Sequence, residues 1–235
     1  MNHINQKMVR VDTLLTGALV PLGPRNVPSG IIKTPVDGPT FLGSEGLVTD
    51  RQGDLKNHGG PEKAVHHYSI DHYATWSQEI GTREMLTRAG AFGENFSSAG
   101  LNERDIAIGD VFGVGGAIVE VSQGRLPCWK LNQRFDVPDM ALRVQASGRT
   151  GWYYRVLQPG KIAPGDGLVP LDRARPDWTI ERLHRLFYID PFNPDELAEA
   201  AALTPLAEGW RKCAQRRLET RRVEDWAPRL TGASS

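Results

Sequence analysis

The stretch SQGRLPCWKLN, residues 122–132, holds one of the chain's two cysteines between two cations, Arg125 before Cys128 and Lys130 after it. Cations beside a thiol favour the thiolate, which is both the nucleophilic form and the form that binds soft metals. Residue type alone leaves a bland alternative open, since a cysteine next to Trp129 also suits an apolar core. Cys213, inside WRKCAQRR, reads as a plain structural residue.

A second stretch, KNHGGPEKAVHHY (56–68), pairs a tight turn with donors. Gly59-Gly60-Pro61 forces the chain round so that backbone N–H groups can face an anion, with His58 and Lys63 beside it. A bare Gly-Gly-Pro is also a common turn with no ligand. His66 and His67 are adjacent, so on a strand they face opposite ways and cannot share one metal through one face. Without a Cys-x-x-Cys or His-x-x-x-His partner the zinc signal is weak. In AFGENF (91–96), Gly93 permits an unusual turn that could present Glu94 and Asn95 at a loop, where polar side chains read a ligand's edge. Arg51, Arg143 and Arg149 read as solvated loop cations.

The elements that must position these residues are mostly strands. Up to about residue 173 the chain is rich in Gly and Pro, with short apolar runs between turns. DVFGVGGAIVEVSQ (110–123) is the clearest strand pattern, with a hairpin or bulge at Gly115-Gly116. Val9–Val20, Lys33–Pro35, Leu47–Asp50 and Gly167–Leu171 are further strand candidates. Helices are expected over Asp71–Ile80, burying Tyr73 and Trp76, and over Pro138–Ala146. From RARPDWTIERLH onward the pattern turns helical. Asp177 can cap a helix to about Tyr188, Asn193-Pro194 can start a second to about Leu203, and Leu206–Thr220 forms a third. The expectation is a β-dominated α+β protein, a barrel or sandwich over residues 1–173 followed by a three-helix appendage over 174–235.

Charge excludes some partners. Lys plus Arg equals Asp plus Glu at 28 each. Residues 174–235 also balance, with ten basic and ten acidic side chains. No field recruits polymeric nucleic acid or an anionic membrane, so anion binding must rest on local patches. No stretch approaches the roughly 20 apolar residues of a membrane span, and the first residues lack a secretory signal's apolar core. A cytoplasmic protein with reduced thiols is expected.

Taken in order, His58-Gly59-Gly60-Pro61 with Lys63-Ala64, Phe92-Gly93-Glu94-Asn95, Ser122-Gln123 with Arg125, and Pro127-Cys128 with Lys130-Leu131-Asn132 resemble the motifs of the MOSC domain family. That family is named for the C-terminal domain of molybdenum cofactor sulfurases, and the likeness is to its YiiM-like branch. Gly151-Trp152 followed by VLQPGKI is similar to the next strand pair, and the helices after residue 174 resemble the branch's added tail. The likeness implies a closed β-barrel that binds molybdenum cofactor, a molybdenum-bearing pterin with a phosphate. It implies Cys128 as metal ligand or sulfur-bearing residue. By position in the motifs, Arg125, Lys130, Lys63 and the Gly59-Gly60 backbone become candidates for phosphate and pterin, with Asn95 and His58 for polar contacts and His58 as a proton donor.

The reductase branch implies two-electron reduction of small N-hydroxylated compounds, including N-hydroxylated purine bases. The cofactor would carry the redox work. GVGGAI (113–118) gives no G-x-G-x-x-G before a helix, so electrons are expected from a separate flavoprotein or haem protein. The chain itself would be a monomer or homodimer. Two rivals remain: a carrier of molybdenum cofactor or sulfur that turns nothing over, and a hydrolase using Cys128 with His58 or His67 as base.

Overall fold

The structure, a computed structural model, describes residues 8–55 and 59–232. Its strands in chain order are β1 (Val9–Arg10), β2 (Thr13–Thr16), β3 (Val20–Leu22), β4 (Val27–Ser29), β5 (Thr34–Pro35), β6 (Thr40–Gly43), β7 (Gly46–Leu47), β8 (Val65–Ser69), β9 (Phe96–Ser98), β10 (Val111–Val114), β11 (Ala117–Gly124), β12 (Trp152–Gln158), β13 (Gly160–Ile162) and β14 (Gly167–Asp172). The helices are α1 (His72–Ile80), α2 (Lys130–Phe135), α3 (Met140–Ser147), α4 (Ile180–Tyr188), α5 (Pro194–Ala202), α6 (Glu208–Thr220) and α7 (Ala227–Thr231).

Nine strands form one sheet in the order β1-β14-β10-β11-β12-β8-β9-β2-β5. Every described pair is antiparallel except β8 with β9. The expected closed barrel is not formed. Hydrogen bonding runs from β1 to β5 and does not join those edges. The reason lies at Val11-Asp12, which splits the apolar run expected as one strand over Val9–Val20. β1 pairs with β14, and β2, two residues on, pairs with β9 near the far end of the sheet. The sheet is curled strongly enough for consecutive segments to reach both ends, and it stays open.

The long hairpin forms as its pattern predicts, with β10 and β11 paired from Val111↔Glu120 to Val114↔Ala117 across Gly115-Gly116. Val119 and Val121 point into a core that also takes Trp152 and Tyr154 from β12, Trp178 from the segment before α4, and Leu183, Phe187 and Trp210 from the C-terminal helices. A second core lies under α1–α3, where Tyr73 and Trp76 meet Tyr68, Phe92, Leu131 and Phe135. Among the described residues no helix is long and apolar enough to cross a membrane.

Two helix starts differ in kind. At α5 the predicted cap is present: Asn193 accepts a hydrogen bond from the Glu196 N–H at 3.1 Å, with Pro194 in the first turn. At α4 the cap is Thr179, whose extended backbone lets its hydroxyl accept from the Arg182 N–H at 3.1 Å. Asp177, expected there, lies two residues too early and pairs with Arg175 and Arg182 instead. The helix α2, unpredicted, starts two residues after Cys128. A fourth tail helix, α7, follows the three expected.

Arg149 is not a solvated cation. Its guanidinium grips both Glu79 carboxylate oxygens at 2.8 and 2.7 Å and lies 3.8 Å above the Trp76 ring. Arg143 conforms to expectation, paired to Asp139 one turn away on an exposed face.

At the foot of the β10–β11 hairpin Asp110 is fully buried and accepts a hydrogen bond from the Ala107 N–H at 2.8 Å. Burial outweighs the nearby Arg173 and pushes its carboxyl up to about 6. A raised carboxyl favours the protonated fold, so stability is full below about 4 and declines as pH rises through about 6. Asp110→Asn keeps the acceptor and removes the charge. It is expected to melt within about 1 °C of the natural chain at pH 4, and roughly 2–4 °C above it at pH 7.5, corresponding to about 1 kcal/mol. A melt lower at both pH values would show that the Arg173 pair outweighs desolvation.

Candidate functional site

A cleft of about 560 Å³, its open mouth included, brings Cys128, Arg125, Lys130, Lys63 and Asn95 together. These come from the segment after β11, the start of α2, the turn before β8 and the turn before β9. Gly59 and Gly60 are not among its lining residues, and His58 lies outside the described residues. The cleft also takes Lys33, Asp50 and Tyr153, for which the sequence offered no functional reading, together with Arg51, read there as a solvated loop cation, and His66, weighed there only as a weak metal signal.

The cleft is built from a buried carboxylate outward. Asp50 accepts hydrogen bonds from the Gly17 N–H at 2.7 Å, from the Asn95 amide at 2.9 Å and from the Lys33 ammonium. Asn95 also donates to the Leu15 carbonyl at 3.2 Å and accepts from the His66 N–H at 3.1 Å. One aspartate and one asparagine thereby tie β2 and β8 to the loops carrying Lys33 and Gly93. Gly93 sits at φ 75°, and a Cβ there would meet Ile31 at 2.8 Å, so the turn before Asn95 needs glycine. Glu94 does not face a ligand. It is fully buried, accepting from the Gly90 and Phe92 N–H groups at 2.6 and 3.0 Å and from the Tyr73 hydroxyl, and it shapes the loop from within.

Lys63 is placed through its neighbour. The Glu62 carbonyl accepts from both the Ser122 hydroxyl at 2.7 Å and the Gln123 amide at 2.9 Å. Successive strand residues ordinarily face opposite ways. Here the β11–β12 register slips between Val121 and Gln123, and the bulge turns both side chains toward one carbonyl. Pro61 follows Gly60, whose φ of 93° suits glycine, and starts a short 3₁₀ turn ending at Lys63. Burial holds the Lys63 ammonium below its ordinary range, with Asp54 opposing.

Cys128 is buried at 6 % exposure, and neither cysteine is in a disulfide. The segment around it is clamped by α7. Arg229 donates to the Pro127 carbonyl and, at 2.6 Å, to the Gln145 side chain, while its own carbonyl accepts from the Trp129 N–H at 2.8 Å. The residues on both sides of the thiol are thus held by one residue. Asn132 adds a bond to the Leu230 carbonyl at 2.9 Å, and Arg25 lies 4.8 Å over the Trp129 ring. The Arg229 guanidinium also interacts electrostatically with Cys128, a third cation for the thiol that no local motif could reveal.

The electrostatics select an anion. Lys33, Arg51, Lys63, Arg125 and Lys130 line the cleft, with Asp50 the acid among them. Arg51 spends its guanidinium on the Val48 and Asp50 carbonyls at 2.9 Å each, yet its charge remains. Arg125 is 7 % exposed and its Nη1 is buried without a hydrogen-bond partner among the described residues. A buried guanidinium nitrogen left unsatisfied is costly, and an anionic oxygen in the cleft would satisfy it. Desolvation and Arg125 keep His66 well below its usual range, so the ring is neutral. His67 faces the other way, 2.7 Å from Ser98 and 3.1 Å from the Tyr154 hydroxyl, and cannot serve Cys128 as a base. Burial raises the Tyr153 hydroxyl, which therefore keeps its proton. Cys213 lies apart, its thiol 2.9 Å from Glu224 and pushed up to about 12 by burial, as suits a structural residue.

Among the described residues no three His, Cys, Asp or Glu side chains converge as a metal cage. One thiol, several buried cations and an unsatisfied guanidinium fit a metal chelated by an anionic organic cofactor.

This geometry accords with the comparisons to known proteins. The MOSC domain pattern matches residues 54–169, and that of the YiiM-like 3-alpha helix domain matches residues 178–221. The chain belongs to the MOSC domain family, in its YiiM-like branch. It is 38% identical over 209 residues to protein YiiM of Escherichia coli, covering 89% of this chain and 93% of that one. The crystal structure of YiiM from Escherichia coli superposes with a TM-score of 0.81 at 32% identity, over 95% of this chain and 99% of that one. A protein of Gibberella moniliformis named a reductase is 35% identical over 213 residues, which span 90% of this chain and 37% of that longer protein. The clamp residue Arg229 lies beyond both matched regions.

The clamp can be tested through the thiol. With Cys213→Ser removing the second thiol, the Cys128 alkylation rate at pH 7.5 divided by that at pH 10 is expected to fall roughly threefold or more in Arg229→Met. The ratio cancels changes in access, and Arg229→Lys should keep it within about twofold. An unchanged ratio in Arg229→Met would leave Arg229 a purely mechanical clamp.

Proposed function

We propose that the chain is a molybdenum-cofactor-dependent reductase of small N-hydroxylated compounds. The observation that carries this reading is the unsatisfied Arg125 Nη1, buried beside Cys128 in a lysine-lined cleft. The family and the reductase-named relative give the same direction. When bound, the cofactor supplies two-electron redox chemistry, in which R–NH–OH, two electrons and two protons become R–NH₂ and water.

The chain's own residues then have separable tasks. The Cys128 thiolate would hold the metal, and the cations around it favour that ionised form. Arg125, Lys63 and Lys130 would pair with the cofactor's phosphate and anionic oxygens, Arg125 through its unsatisfied nitrogen. Asp50 and Asn95 position the walls. The Tyr153 hydroxyl, protonated at neutral pH, can donate to a developing amine or hydroxide, and Lys63, held below its ordinary range, gives up a proton more readily than a solvated lysine.

Electrons would come from a separate flavoprotein or haem protein. Gly113–Ile118 forms the β10–β11 hairpin and not the strand-to-helix turn of a dinucleotide-binding fingerprint.

The test is molybdenum per chain in protein from a cofactor-producing host, with reduction of an N-hydroxylated purine by an artificial electron donor. The natural chain is expected to carry close to one molybdenum and to form the amine, and Cys128→Ser to lose most of both. Bound molybdenum without amine formation would favour a carrier. Absence of molybdenum would overturn the reading.

A further inference from the structure

Next to the cleft, between β11 and the C-terminal helices, lies a second pocket of about 850 Å³ with its mouth. We propose that this pocket seats the planar heteroaromatic ring of the substrate, with Tyr188 and Trp226 as its recognition residues. The inference rests on the reductase reading for the choice of ligand and on separate observations for the place.

The first observation is continuity. Lys63 lines both the cleft and the pocket. Arg229 lines the pocket and interacts with both Cys128 and Tyr188. Gln123 joins the two mechanically: its amide nitrogen holds the Glu62 carbonyl beside Lys63, and its oxygen accepts from the Trp210 indole at 2.9 Å. A ring in the pocket would therefore lie beside the thiol's own clamp.

The second observation is the chemistry of the wall. Tyr188, Trp210 and Trp226 line it, the rings of Tyr188 and Trp226 meeting at 5.1 Å and 65°. Trp210 has spent its indole N–H on Gln123. The Tyr188 hydroxyl and the Trp226 indole N–H make no hydrogen bond to any described residue, so aromatic surface is offered with two uncommitted donors. Burial pushes the Tyr188 hydroxyl up to about 12, and it remains a donor throughout the working range.

The third observation is charge. Glu224 is held at 2.6 Å by Arg217, and the Cys213 thiol is protonated. Asp225, the other carboxylate of the lining, is exposed and accepts from the Ala227 N–H at 2.8 Å, and the cationic end is the inner one, at Lys63 and Arg229. Neutral aromatic walls with donors suit a flat, uncharged ring rich in nitrogen acceptors, and the cationic end suits the electron-rich N–O group directed toward the cleft.

Equilibrium dialysis of N6-hydroxyadenine against the purified chain tests this without requiring turnover. One saturable site is expected, weakened about tenfold by Trp226→Ala and by the milder Tyr188→Phe, and changed less than about twofold by Cys128→Ser. Binding lost in Cys128→Ser and untouched by the other two would place the ring in the cleft and overturn the proposal, as would no saturable binding. Molybdenum-loaded protein separates this inference from the reading beneath it. Amine formation with KM unchanged in Trp226→Ala would overturn the pocket and leave the reductase standing. Base binding with no amine formation would do the reverse.

Discussion

The buried carboxylate of Asp50 is the interaction on which the site depends. Lys33, Lys63, Arg125 and Lys130 face one cleft, and like charges withdrawn from water repel each other while losing hydration. Asp50 offsets part of that cost by taking the Lys33 ammonium, and it turns the remainder of its bonding capacity to structure through Gly17 and Asn95. Charge neutralisation and wall assembly are therefore done by the same two oxygens. The neutralisation is incomplete. The residual positive field and the unsatisfied Arg125 nitrogen make the cleft a site that gains stability when an anion enters it.

A bulge and a glycine turn translate this electrostatic demand into geometry. The bulge after Val121 lets two adjacent side chains of one strand hold the Glu62 carbonyl, fixing the turn that carries Lys63. The turn at Gly93 brings Asn95 onto Asp50. Neither device contributes much to the core. Both depart from regular strand geometry where a cation or its partner must be aimed, the usual place for such departures.

Cys128, Arg125, Lys130, Lys63 and Asn95 were legible because each sits in a short segment whose residue types already suggest chemistry, and the cleft gathers all five. The hairpin around Gly115-Gly116 and the Asn193-Pro194 helix start were legible for a related reason: their signals are local. Lys33, Asp50 and Arg229 were not. Lys33 and Asp50 acquire meaning only from each other, and Arg229 contacts Pro127 across 102 residues of sequence. The open sheet was missed on the same grounds, since two residues at Val11-Asp12 decide which edge each flanking strand joins. Glu94 misled through its loop position, because a carboxylate near a glycine turn serves the turn's own N–H groups as readily as a ligand.

Long-range clamping also decides the order in which the site can form. The β10–β11 hairpin needs only neighbouring residues and can pair early. The Cys128 segment waits for the end of the chain: its fixing contacts to Arg229 and Leu230 close loops of about a hundred residues, and Gln123 reaches Trp210 across 87. Such contacts bear a larger closure entropy and open more easily than the sheet beneath them. The thiol thus rests on a rigid strand but is held in place by the least locally anchored part of the fold. A site arranged in this way is complete only when the helical tail is docked, which makes the tail part of the chemistry and not an attachment to it.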